Sequence, residues 1–382
     1  MNLASISLVF GFFFNPIAET IQVPLDHGDP QSRKITVTYH YENEFDPRRE
    51  TVFTVDDPID YALQGFDLSE SIKAEFNWVR ISGRHFSKDL EKFIHENANQ
   101  DWEKIYRWLN QNQVSQDIEL IRKKILCERK VMLIGYSSST GILLHYLSTY
   151  SQSVDKLICI NPFLMDIQTN LSFWNFSNNF QNQPTVLTDA EFFGFAYRSS
   201  VDYFNSDPSL RDSLIDSSMK DFKENHSNSM EIKFPTSFAV RAFEHTIELM
   251  ADGNSDFPVA NFLKEKSEPF WTTYLEKRFP LIGTNYDVGL SFGGQVIILG
   301  SAYDLLINPK VVDVLAEFFP RSTLVLFRDG HSLEKTKKAE EFSVLLLAFL
   351  KDDFQMKVNA YQSLTELNLL FLGKDYNNIR VD

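Results

Sequence analysis

Cysteine is scarce in this chain. Only Cys127 and Cys159 occur in 382 residues, with no Cys-x-x-Cys and no His-Glu-x-x-His, so neither a disulfide framework nor a zinc site is expected. Cys159, inside Lys156-Leu-Ile-Cys-Ile160, reads as a small buried hydrophobe. Basic blocks are lacking too. The chain has 37 Lys and Arg against 52 Asp and Glu, a net charge of −15, and its cations are scattered. Nucleic acid and anionic membranes, which need clustered Lys and Arg, are not expected as partners. Nor is stable membrane insertion. The apolar stretch Leu3 to Ala18 is broken by Asn15-Pro16 and is short for a span. It also lacks a preceding Lys or Arg and an Ala-x-Ala cleavage site. It is therefore expected to be an apolar arm of a cytoplasmic protein, with a secreted or periplasmic one as the alternative if residues 1–18 act as a signal. No internal repeat occurs.

Apolar and aromatic residues are plentiful. With 43% hydrophobic residues and 34 Phe, the chain can bury a large core, in one enlarged domain or a domain with a long insertion. Short apolar runs alternate with helical patterns. Strand-like segments are Ile21 to Leu25, Lys34 to His40, Thr51 to Val55, Phe76 to Ile81, Val131 to Tyr136, Lys156 to Ile160, Gln295 to Gly300 and Ser322 to Phe327. Helical spacing runs from Asp101 through Ile125 and from Leu333 to Leu350. Such alternation implies an α/β fold, a mostly parallel sheet with helices on both faces. Between the sixth and seventh strands the pattern stops for more than a hundred residues. That stretch is rich in Phe, Trp and Asn, carries no phosphate-binding glycine motif, and reads as a mainly helical cap. The expected organisation is an arm (1–18), a core in two parts (19–162 and 291–351), a cap (163–290) and a C-terminal extension (352–382).

Three short stretches carry chemistry. Val131-Met-Leu-Ile-Gly-Tyr-Ser137-Ser138-Ser139-Thr-Gly141 reads as strand, sharp turn and helix, the context in which a Ser hydroxyl is exposed above a sheet as a nucleophile. Asp304 follows the strand at Gln295, and His331 follows the strand at Ser322. Ser, then Asp, then His, each past the C-terminal end of a strand, is the order of the α/β-hydrolase triad, and strand C-termini are where open α/β sheets hold ligands. Ser137 is thus the candidate nucleophile, His331 the general base and Asp304 the group that fixes the imidazole. Ser139 is an alternative nucleophile, because Ser137-x-Ser139-x-Gly141 also has elbow spacing. Asp329, two residues before His331, suits a turn better than an orienting acid. His145 reads as packing and His85 as a weaker pocket candidate.

With those residues in place, the chain resembles the prolyl-aminopeptidase and tripeptidyl-aminopeptidase branch of the α/β-hydrolase serine peptidases. The matching pieces are Val23-Pro-Leu-Asp-His27, Asp101-Trp102, Leu109-Asn110-Gln111, Asp117, Gly135-Tyr136-Ser137, Gly300…Asp304…Pro309 and Gly330-His331. They cover roughly residues 20–160 and 290–350. The resemblance implies the α/β-hydrolase fold with a helical cap, an acyl-enzyme mechanism without a cofactor, and an oxyanion hole of backbone N–H groups. Ser138, directly after the nucleophile, would supply one. The branch has a His-Gly-Gly-Pro-Gly loop for the second, and here Val55-Asp56-Asp57-Pro58-Ile59 stands in its place, which leaves the N–H of Asp56 as the candidate. Acidic cap residues of the branch hold a substrate's free amine, a role in which Glu244 is a candidate; the Asp56-Asp57 loop could meet such a cation as well, and Asp57 and Tyr136 are further substrate-binding candidates. An amphipathic cap helix with an exposed Glu244 is the plainer reading.

The expected function is that of a serine hydrolase acting on a small, partly apolar peptide, amide or ester. The alternatives are an acyltransferase, cyclase or thioesterase on the same triad, an inactive relative that binds ligand through Asp56-Asp57, and an adaptor protein. Oligomeric state is not encoded in any motif.

Overall fold

The structure, a computed structural model, describes residues 17–62, 70–97, 101–164, 167, 187–198, 208–226, 234–246 and 258–371. The arm up to residue 16 and much of the cap therefore lie outside the described residues. Eight strands form one sheet: β1 (Ile17–Pro24), β2 (Lys34–Tyr41), β3 (Thr51–Val55), β4 (Asn77–Ile81), β5 (Val131–Tyr136), β6 (Val154–Ile160), β7 (Gln295–Ser301) and β8 (Thr323–Phe327). Their order is β1-β2-β4-β3-β5-β6-β7-β8. The β1–β2 and β2–β4 pairs are antiparallel, and every other pair is parallel. The six parallel strands consequently end on one edge, and the segment after each of them can contribute to a common site there.

The strand sequences explain their depth. All six residues of β5, Val-Met-Leu-Ile-Gly-Tyr, are buried, as a central strand covered by helices on both faces requires. In β2, buried Ile35, Val37 and Tyr39 alternate with more exposed neighbours, the pattern of a strand half covered near the edge. Buried Lys156 is the exception on β6; its Nζ donates to the carbonyls of Phe349 and Leu350 at 2.5 and 2.8 Å, placing a cation at the C-terminus of a helix, where it is favourable.

The helices that matter for the site are α1 (Pro58–Ala62), α2 (Gln111–Leu126), α3 (Ser139–Tyr150), α4 (Asp189–Tyr197), α5 (Pro208–His226), α6 (Thr236–Thr246), α7 (Pro258–Lys277), α8 (Lys310–Phe318), α9 (Glu340–Lys351) and α10 (Phe354–Glu366). Helices α4 to α7 fall between β6 and β7, so the insertion between the sixth and seventh strands is helical. The helical pattern from Asp101 to Ile125 is two helices rather than one. Asn110 leaves the helical conformation at ψ 161° and caps α2 through the amides of Asn112 and Gln113, a position Asn takes readily. The last core helix begins at Glu340, later than Leu333, because Thr336–Lys338 forms a separate 3-10 turn. No helix among the described residues is long and apolar enough to cross a membrane.

Candidate active site

The turn after β5 is forced by packing. A Cβ on Gly135 would lie 2.8 Å from the Thr140 Cα, so only glycine lets α3 cross back so close to the strand. Ser137 then takes φ 51°, a left-handed conformation costly for a residue with a side chain and stored where function demands it. Its N–H donates to Ile160 O at 2.8 Å and its carbonyl accepts from Phe163 N at 3.1 Å, which fixes the strained turn from the neighbouring strand.

Two other strand ends meet it. The β8 loop brings His331 Nε2 to 2.9 Å from Ser137 Oγ. The β7 loop brings Asp304 Oδ2 to 2.7 Å from His331 Nδ1. The second oxygen of Asp304 accepts the N–H groups of Leu306 and Ile307 at 2.8 and 3.0 Å, so the carboxylate is held at both ends. Because a carboxylate only accepts, Nδ1 carries the imidazole proton and Nε2 is left to accept from the serine hydroxyl. The histidine loop is pinned by its own carbonyl, which accepts from Asn161 Nδ2 at 2.6 Å and Tyr136 Oη at 3.1 Å. The rings of Tyr197 and Tyr136 lie 4.9 and 5.6 Å from the imidazole. Ser137 and His331 are 1% and 0% exposed.

The remaining residues singled out in the sequence sit elsewhere or are differently employed. Ser139 Oγ donates to Tyr136 O and accepts from Tyr136 N; it closes the turn and does not face His331. Asp329 binds the amides of Gly330, Lys335 and Thr336, as a turn acid should. His85 is buried with Nε2 2.8 Å from Leu109 O.

The acidic loop after β3 departs from expectation. The Asp56 N–H is already donated to Ile81 O in the β3–β4 ladder at 2.9 Å, so it cannot serve an oxyanion. The Asp56 side chain points to Arg80 and Ser82. Asp57 is buried and accepts from Arg241 Nε at 2.7 Å and from Ile59 N at 2.9 Å; its charge is spent inside the protein rather than on a substrate amine. Glu244 is not exposed either. Its side chain pairs with Arg241 Nη1 and accepts the Gln111 N–H. Burial raises Asp57, but the charge of Arg241, joined by His245, His85 and the Ile59 N–H, together outweighs it and holds the carboxyl below the usual range. For Glu244 burial prevails over the same cation and leaves it raised.

The sequence reading missed Arg241, His245 and Asp60. Arg241, Glu244 and His245 are spaced i, i+3 and i+4 on α6 and so share one face, and that face docks on the elbow. His245 Nε2 lies 2.8 Å from Ser138 Oγ, and burial followed by the Arg241 charge lowers it to about 3. An Arg-x-x-Glu-His run among phenylalanines was the available signal. The third omission is Asp60. Its Oδ1 accepts the Ser138 N–H at 3.2 Å and its Oδ2 the Ser139 N–H at 3.0 Å. The Ser138 amide expected for an oxyanion is thus occupied by a carboxyl in this structure.

The family profile described as alpha/beta hydrolase fold matches residues 65–333. No curated protein matches the chain in sequence. Among solved structures, the Mycobacterium tuberculosis protein Rv0554 superposes with a TM-score of 0.51 at 13% identity, covering 87% of this chain and 99% of that one. A meta-cleavage product hydrolase from Pseudomonas fluorescens has a TM-score of 0.45 at 13% identity, with 87% and 97% covered. A bacterial membrane phospholipase A has 0.48 at 12% identity, with 88% and 86% covered.

Proposed function

The chain belongs to the α/β-hydrolase fold family, and on that premise we propose that it is a serine hydrolase working through Ser137, His331 and Asp304. The single observation that carries the reading is the unbroken chain from Asp304 to His331 to Ser137, at 2.7 and 2.9 Å. In this reading His331 takes the Ser137 proton as Oγ attacks an acyl carbon. It then gives that proton to the leaving group, and an acyl-enzyme remains. A water activated by the same imidazole releases the acid. Asp304 keeps the imidazole in the productive tautomer and stabilises the imidazolium. The first oxyanion donor is the Ser138 N–H, once a substrate oxygen displaces Asp60 from it.

The substrate proposed is an ester or amide with a small, partly aromatic acyl group, because Tyr136 and Tyr197 flank the imidazole. An aminopeptidase would need a free carboxylate for the substrate's ammonium, and Asp57 and Glu244 both serve Arg241. A second reading, acyl transfer to an alcohol or amine, is favoured by the burial of Ser137 and His331, since a dry site slows hydrolysis of the acyl-enzyme.

Labelling with a fluorophosphonate probe tests the reading without a known substrate. Wild type and Ser139→Ala should label, while Ser137→Ala and His331→Ala should not. A folded wild type that stays unlabelled would contradict it. Aryl ester and aminoacyl amide panels, with and without an added alcohol, then separate hydrolysis from transfer.

A further inference from the structure

Ser138 supplies the first oxyanion donor of the proposed reaction, and much of what holds it comes from the cap. Within α3 its carbonyl accepts from Gly141 N at 3.1 Å. The other contacts of that carbonyl and of its hydroxyl are made by α6. His245 Nε2 lies 2.8 Å from Ser138 Oγ. Arg241 Nη2 lies 3.3 Å from Ser138 O and 3.2 Å from His245 Nε2. Ser138, Arg241 and His245 are all buried, so water does not compete for these bonds.

The direction of each bond follows from the donors. A guanidinium only donates, so His245 Nε2 accepts from Arg241 and carries no proton. Ser138 Oγ must then donate to that nitrogen as well. The Ser138 proton is thus spent on His245, and His331 is left to Ser137. Burial and the Arg241 charge keep the His245 imidazole neutral, as this arrangement needs.

The pair is itself anchored to the core. Arg241 Nε donates to Asp57 Oδ2 at 2.7 Å, and its Nη1 pairs with Glu244. Glu244 in turn accepts the N–H of Gln111, the first residue of α2, at 2.9 Å. The His245 ring lies 4.9 Å from that of Phe163, whose N–H holds the Ser137 carbonyl. Resting on the serine-hydrolase reading above, we propose that His245 and Arg241 are positioning residues for this reaction: through the hydroxyl and carbonyl of Ser138 they fix the residue whose N–H receives the oxyanion. Helix α6 is then part of the catalytic apparatus as well as of its cover. A donor stabilises an oxyanion only when it is already in place, and a displacement of about 1 Å can cost roughly 100-fold in rate. No bond is made or broken at either residue.

The test is the kinetics of fluorophosphonate labelling for wild type, His245→Leu, His245→Gln, Ser138→Ala and the double variant Ser138→Ala/His245→Leu, with thermal melts to verify folding. His245→Leu should lower the saturating labelling rate roughly 10- to 100-fold, as a misplaced donor does, with the half-saturating probe concentration unchanged. Ser138→Ala keeps the N–H but loses the hydroxyl, and should fall in the same range. The double variant should be no slower than the slower single, because both changes remove one contact. His245→Gln, whose Oε1 can accept from Ser138 and Arg241, should return to within about fivefold of wild type. A purely structural role would lower the melting temperature and leave the saturating rate of the folded variants alone, which overturns the proposal. Losses that multiply in the double variant, or a His245→Gln as slow as His245→Leu, overturn it too. So does a rise in half-saturating concentration at an unchanged rate. If His245→Leu does not fold, Ser138→Ala labelling at the wild-type rate has the same force. A wild type that never labels, or labels equally as Ser137→Ala, would instead refute the underlying serine-hydrolase reading.

Discussion

At the residue scale, the site depends on how a few polar groups are held rather than on which residues are present. Asp304 is anchored by two backbone amides and spends its other oxygen on His331. Asp304→Asn would keep the shape but stabilise the wrong tautomer, with Nε2 protonated toward Ser137. Hydrolysis of an aryl ester should fall about 10⁴-fold, as for the same change in a well-studied triad, while the melting temperature moves little. A loss below tenfold would mean that Asp304 does not orient the imidazole. Ser137, Asp304 and His331, which the structure brings within hydrogen-bonding distance, could be picked out in the sequence because each follows an apolar run at a strand's end. Asp60 could not, since the third acid of Asp56-Asp57-Pro58-Ile59-Asp60 becomes distinctive only when α1 turns it over the elbow.

At the scale of elements, the motif residues behind the family resemblance do structural work. Arg84 grips Asp117 through Nε and Nη2 at 2.6 and 2.7 Å, His27 reaches the same carboxyl, and Arg84 also holds the carbonyls of Pro24, Leu25 and Trp108. Val23-Pro-Leu-Asp-His27 is thereby tied to α2. Helix α6 is tied to the core in the same manner, through Arg241 between Asp57 and Glu244. Burying a pair contributes little net stability, but breaking one strands a charge. Arg241→Met should therefore destabilise the protein by about 3–5 kcal/mol in urea unfolding. Combining it with Asp57→Asn and Glu244→Gln should recover much of that. No recovery would show that packing of the arginine, not its charge, is what matters. The positions of the strands and the helical insertion could be read from the alternation of apolar runs, whereas the order of the strands in the sheet could not. The docking of α6 could not, because its partners are remote in sequence and Asp56-Asp57 looks like a solvent-facing or ligand-facing pair.

At the scale of the whole molecule, several buried groups make stability depend on pH. Burial lowers His245 to about 3, with Arg241 adding to it, and lowers His85 and His145 each to about 4. The unfolded chain, with histidines near 6.5, takes up protons that the folded one refuses. Stability is therefore full above the unfolded value and falls as pH drops from about 6.5 toward 4, by about 1.4 kcal/mol per pH unit for each histidine. Asp60 and Glu244 are raised; they hold protons in the fold that the unfolded chain releases, and offset part of the loss. Asp189 is raised too, but it is exposed and counts for less, so the three buried histidines leave a net fall. Urea midpoints should drop between pH 7 and pH 5, and the drop should shrink in His85→Gln. Equal midpoints at both pH values would show that these histidines are protonated in the fold. The net charge of −15 gave no hint of this, because it counts surface and interior alike.

The decisive measurement is the position of the covalent adduct after wild type reacts with a fluorophosphonate, read by peptide mass spectrometry. Three consecutive serines, Ser137, Ser138 and Ser139, lie in one peptide, and fragment ions tell them apart. One adduct per chain on Ser137, absent after His331→Ala, is the expected result. An adduct on Ser138 or Ser139, or none on a folded chain, would contradict the assignment of Ser137 as the nucleophile.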